Sequence, residues 1–148
     1  MKKIILTVVI LALIVIQFFG IDKTNPPVDP DQDFLTQSNG DAELLQLIET
    51  ACYDCHSHTT EYPWYTSVAP FSWWINGHIT EAREHLNFSE FGTYSQDDKE
   101  HLMKECVEVL REKEMPLLSY MIMHRDAWID DEQRERMADF FESQASLY

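Results

Sequence analysis

Asp41-Ala42-Glu43-Leu44-Leu45-Gln46-Leu47-Ile48-Glu49-Thr50-Ala51-Cys52-Tyr53-Asp54-Cys55-His56 runs an amphipathic pattern straight into a C-x-x-C-H pentapeptide. Asp41 suits an N-cap, and Leu44, Leu45, Leu47, Ile48 and Ala51 recur at three- and four-residue steps. The spacing predicts a helix that delivers the chain into Cys52. At this spacing two thiols can reach the vinyl groups on one edge of a haem, while the adjacent imidazole meets its iron. Cys52 and Cys55 are therefore the candidate thioether positions and His56 the candidate proximal ligand. Far downstream, Met115-Pro116-Leu117 offers a thioether sulfur as a second ligand to the same iron.

A bare C-x-x-C also occurs in thioredoxin-like dithiols and in half zinc sites, and the histidine that follows at once is what favours haem. Zinc is the main rival, with Cys52, Cys55, His56 and His58 as four possible ligands. Structural zinc sites usually draw ligands from two separated segments, and no second C-x-x-C or H-x-x-x-H is present. A thioredoxin-like reading lacks the required alternation of strand and helix.

Lys2 and Lys3 precede an apolar run from Ile4 to Ile21, broken only by Thr7, Gln17 and Gly20. Its length is near that of a membrane-spanning helix, and no small-x-small cleavage site follows it. Residues 1–21 are expected to be a transmembrane anchor or, alternatively, a cleaved signal segment. The two lysines would stay cytoplasmic, leaving the rest in the periplasm at the inner membrane.

The 148 residues carry a formal net charge of -15. Such an acidic chain is no partner for nucleic acid. It suits either simple solubility or a redox partner protein with a basic surface. Pro26, Pro27 and Pro30 among several Asp and Asn make residues 22–38 read as an extended linker. The folded domain is expected over 39–148.

Helices dominate that domain. A second is expected to open at Pro70, with Trp74, Ile75, His78, Ile79, Ala82 and Leu86 on one face. A third is expected from about Asp98 to Glu114, carrying Leu102, Met103, Cys106, Val107 and Leu110 and ending before Met115-Pro116. The last should begin with an Asp130/Gln133 capping box and continue through Met137, Ala138, Phe140 and Phe141. The fold class is all-α: a helix, C-x-x-C-H, an irregular middle, a Met-Pro segment and a closing helix packed on the first, as in a small cytochrome c.

The set Ala51-Cys52-Tyr53-Asp54-Cys55-His56-Ser57, Tyr62-Pro63-Trp64-Tyr65, Ala69-Pro70, Ser72-Trp73-Trp74, His78-Ile79, Leu86-Asn87-Phe88-Ser89-Glu90, Met115-Pro116-Leu117, Tyr120 and His124 resembles the bacterial haem-binding domain family. Gln17-Phe18 and Asn25-Pro26 also fit its usual N-terminal pattern. The resemblance implies a cell-envelope protein with one covalent haem c, Cys52 and Cys55 as thioether sites and His56 on the iron. It implies a cofactor rather than a reaction. Ala82-Arg83 departs from the Gly-Arg expected there, which bears on local helix packing.

For the sixth iron position Met115 ranks first, with His124 and His78 as rivals that would give a lower-potential bis-histidine centre. Tyr62, Trp64, Tyr65, Trp73 and Trp74 are expected to wall the haem. Cys106 reads as an inert buried thiol and Asn87-Phe88-Ser89 as a turn and cap. With Met115 on the iron, the chain is an electron-transfer protein rather than an enzyme. With an open or histidine-filled position it becomes a ligand sensor or a peroxidase, for which His58 is the nearest acid-base group. A zinc-stapled interaction module is the third reading.

Overall fold

The computed structural model describes every residue from Met1 to Tyr148. It is all-α, with seven α-helices, three short 3-10 turns and no strand. Helix α1 (Lys2–Ile16) is followed by an extended segment and a single helical turn, α2 (Phe34–Gln37). Then come α3 (Ala42–His56), α4 (Phe71–His85), α5 (Gln96–Arg111), the short α6 (Leu118–Met123) and α7 (Asp131–Ala145).

The helix starts follow the capping chemistry in the sequence. The Asp41 carboxylate accepts from Leu44 N–H at 3.1 Å, and Ser95 caps α5 through Asp98 N–H at 3.2 Å. Asp130 and Gln133 form the full reciprocal box at α7, at 2.8 and 3.0 Å. The α5 helix starts two residues earlier than the apolar pattern indicates, because Ser95 is the cap, and it stops at Arg111. Its exit is a Schellman turn. Lys113 takes a left-handed conformation (φ 62°), with Lys113 N–H donating to Leu110 O and Glu114 N–H to Val109 O.

The core is aromatic. Phe34, Phe88, Phe91 and Phe141 are buried together, with Phe34 ring centroids 5.2, 5.0 and 5.7 Å from the other three. Tyr53 stacks on Phe88 at 5.3 Å with its ring nearly parallel. The closing helix differs from expectation: α7 packs mainly along α5, with a smaller contact to α3, and α3 lies against α4.

Two N-terminal expectations change. The apolar run does not stay helical to Ile21: α1 has 15 residues, about 22 Å at 1.5 Å per residue, against a hydrocarbon core of about 30 Å. No helix is long and apolar enough to cross a membrane, so the transmembrane anchor is not supported. The stretch 22–38 is not a free linker either. Asn25 donates to Thr60 O, Gly92 N–H donates to Gln32 O at 2.8 Å, and Asp33 accepts from Tyr53 Oη while capping α2. Phe34 then enters the centre of the core. Proline and aspartate content identified an extended backbone, but one phenylalanine was enough to pin it down.

Candidate functional site

The C-x-x-C-H residues lie inside the last turns of α3 rather than after its end. Cys52 and Cys55 are therefore three residues apart on one helical face, and His56 stands four residues from Cys52. Both thiols are free and half-buried. Burial and the neighbouring Cys55 push the Cys52 thiol up to about 12. Burial and the Asp54 charge raise Cys55 to about 11, partly offset by Arg83. Thiols held protonated this firmly are unlike the low-pKa pair of a disulfide exchanger.

The His56 ring is fixed from behind. Its Nδ1 lies 3.0 Å from the Leu86 carbonyl, which can only accept, so Nδ1 carries the proton and Nε2 keeps its lone pair. Leu86 supplies that carbonyl because α4 ends there and the chain turns extended. Burial lowers the His56 pKa, and the Leu86 carbonyl opposes the shift. The imidazole is thus held neutral, as a metal ligand requires.

These side chains border one apolar cleft with two lobes. The inner lobe, about 110 Å³, is lined by Cys52, His56, Leu86, Phe88, Leu102, Cys106, Leu110, Met115 and Phe141. The outer lobe, about 380 Å³, shares Cys52, His56, Met115 and Pro116 and adds Cys55, His78, Ala82 and Tyr120. The outer lobe alone lies in the usual range for small-molecule sites, roughly 300–1,000 Å³. Ala82, where Gly is expected in the family pattern, places its methyl on the wall of this lobe. Two thiols, an imidazole and a thioether on one apolar cleft are a donor set and lining that would suit a thioether-linked haem. Cys52 and Cys55 would hold its edge, His56 and Met115 its iron.

Met115 is brought there by the Schellman turn and by Arg134. That buried guanidinium donates through Nη1 to the Leu110 carbonyl at 3.2 Å and to the Met115 carbonyl. The two histidine rivals separate. His78 lines the outer lobe, with Trp74 at 4.4 Å edge-on, and its ring makes no hydrogen bond. His124 is committed elsewhere: Nδ1 to the Tyr120 carbonyl at 3.1 Å and Nε2 to Tyr65 Oη at 2.9 Å. It lines a neighbouring cavity of about 90 Å³ with Asp54, Cys55, Tyr65 and His78, and it lies outside the Cys52–His56–Met115 cleft.

The expected aromatic wall is different as well. Tyr62, Trp64, Tyr65, Trp73 and Trp74 do not line the cleft, which is walled instead by Leu86, Phe88, Leu102 and Phe141. Trp64, Trp73 and Trp74 face outward. Cys106 is buried at the inner lobe with its thiol raised chiefly by burial, and Asn87 caps Ser89 N–H, as read from sequence. The zinc alternative loses its fourth ligand, because His58 Nε2 is 2.7 Å from the Asn87 amide and Nδ1 3.3 Å from Pro27 O. No group of three or more His, Cys, Asp or Glu side chains converges to hold a metal ion. Sequence reasoning missed the Leu86 carbonyl, a backbone group without a motif. Tyr120 was singled out in the resemblance without a role, and the structure gives it one: its Oη donates to Asp54 Oδ2 at 2.8 Å, between the two cysteines in sequence.

A family model described as a haem-binding domain matches residues 11–143. The chain belongs to the haem-binding domain family. No curated protein matches it, nor does any solved structure. Membership makes haem the cofactor.

Proposed function

We propose that the chain is a c-type haem protein of the cell envelope that transfers electrons. One haem is bonded through Cys52 and Cys55, with His56 and Met115 as axial ligands. The observation that carries this reading is that all four side chains line one apolar cleft, with the His56 ring already oriented by Leu86 O. Bound there, the haem supplies a one-electron iron couple. The chain's own residues exclude water from it, orient the imidazole and present the thioether sulfur, which raises the potential. Attachment through thiols requires maturation outside the cytoplasm, and the apolar N-terminal segment is the part of the chain suited to bring it there and keep it in contact with membrane lipid. The partner is a redox protein, steered by its basic surface toward this acidic one.

The test is to express the full chain in cells that mature c-type haem and to record spectra before and after denaturation. Haem that stays with the polypeptide supports thioether attachment, and haem released by the denaturant overturns it. Met115→Ala is expected to remove the methionine-to-ferric-iron charge-transfer band and to lower the reduction potential. An unchanged band would exclude Met115. The second reading, favoured by the hydrogen-bond-free ring of His78 on the same cleft, is bis-histidine ligation. A peroxidase role for His58 has no support, since both its ring nitrogens are engaged.

A further inference from the structure

Nothing in the chain covers α1. Every residue of it except half-buried Ile16 is exposed, and apart from Lys2, Lys3 and Thr7 all are apolar around the whole circumference. A helix apolar on one stripe fits a protein groove, but one apolar on all sides needs surroundings that touch every face, as lipid does. The base of α1 is not free to swivel. The Gln17 side chain brackets Ala69, accepting from its N–H and donating to its carbonyl, both at 3.0 Å. The Trp73 indole N–H donates to Phe19 O at 2.7 Å. These bonds fix α1 against the start of α4, where Phe71, Trp73 and Trp74 are 64, 42 and 51 % exposed beside exposed Phe18 and Phe19.

The charge pattern marks the same region. Tyr62–Thr80 contains no Asp, Glu, Lys or Arg, in a chain with 26 acidic residues. An acidic body is repelled by anionic lipid, so close approach to a bilayer needs an uncharged face. Lys23 lies at the edge of this face, with Nζ 2.6 Å from Ser67 Oγ and 5.9 Å from the centre of the Tyr62 ring, a cation suited to headgroup phosphates. Tryptophan at the end of an apolar helix settles in the interfacial layer, with phenylalanine on its apolar side.

We infer that Phe18, Phe19, Phe71, Trp73 and Trp74 form a lipid-docking face that seats the haem domain on the bilayer at one orientation. This rests on the cell-envelope reading above, and it replaces a flexible tether with a rigid mount. Because α4 also carries Ala82 and leads to the Leu86 carbonyl, the mount fixes how the cleft faces a membrane-bound redox partner.

The experiment uses the full-length holoprotein in phosphatidylcholine nanodiscs containing a phospholipid with a photoactivatable diazirine high on its acyl chain. After irradiation, labelled positions are mapped by mass spectrometry. Label on both α1 and residues 68–74 is expected, with Phe71→Ser lowering the second severalfold while α1 labelling and the haem spectrum stay unchanged. Label confined to α1 overturns the docking face and leaves the membrane reading intact. Label on neither segment overturns both.

Discussion

His56 shows how a single residue acquires its role from a backbone atom thirty positions away. The Leu86 carbonyl selects the tautomer, burial keeps the ring neutral, and Nε2 keeps its lone pair, as the proposed iron ligation needs. Met115 is positioned in the same indirect way, by Arg134, whose Nη1 holds both Leu110 O and Met115 O while its Nε has no partner. Replacing it by leucine takes the donor from the Met115 carbonyl and leaves Leu110 O with the Lys113 N–H alone, at a cost of about 1–3 kcal/mol. Arg134→Leu should therefore lower the denaturation midpoint and weaken the methionine charge-transfer band. A full band with normal stability would show that the loop holds itself. Met115 and His56 were named as candidates from residue type and spacing alone, whereas neither Leu86 O nor Arg134 has a motif, since a carbonyl is common to every residue and Arg134 sits in an ordinary polar helix.

At the scale of elements, α5 and α7 carry the site by where they start and stop. Lys113 occupies the left-handed position of the Schellman turn that glycine normally fills, a conformation costing about 1–2 kcal/mol for a residue with a Cβ. Its exposed ammonium pairs with Asp131 at 2.6 Å, which returns little. Lys113→Gly is thus expected to raise stability by about 0.5 kcal/mol after the added flexibility of the unfolded chain is counted, measurable as a higher urea midpoint. The start of α3 is sensitive to acid instead. The Leu44 N–H, and after it the Arg136 guanidinium, hold the Asp41 carboxyl below its ordinary 3.8. A depressed folded pKa means that this contribution is complete above the unfolded value and is lost as pH falls through the folded one. Helicity followed by circular dichroism should begin to decline below about pH 4, less steeply in Asp41→Asn, and a profile identical in that variant would remove Asp41 from the cause.

For the whole molecule, the surprise lies in residues 22–38. Composition described this segment correctly as extended, yet the expectation of an independent linker failed because Phe34 packs against Phe88, Phe91 and Phe141 and is only 1 % exposed. Phe34→Ala should cost about 3–5 kcal/mol, as for a core residue, and an effect below 1 kcal/mol would restore the linker reading. The Gln17–Ala69 and Trp73–Phe19 bonds extend the same strapping to the base of α1. In consequence the N-terminal third of the chain is built onto the haem domain.

Whereas the tertiary structure put the C-x-x-C-H residues on the last turns of α3, the amino-acid sequence by itself determined the helical class, the caps at Asp41 and Asp130, the C-x-x-C-H spacing and the presence of Met115 beside a proline after α5. Those features depend on neighbours within four residues or so, and local periodicity and capping chemistry report them. Only the tertiary structure decided that His78 and Met115 share the cleft while His124 turns to Tyr65, that the tryptophans face outward, and that Phe34 belongs to the core. Each of those outcomes rests on contacts between residues far apart in the chain, where packing and hydrogen-bond partners choose among side chains of equal local plausibility.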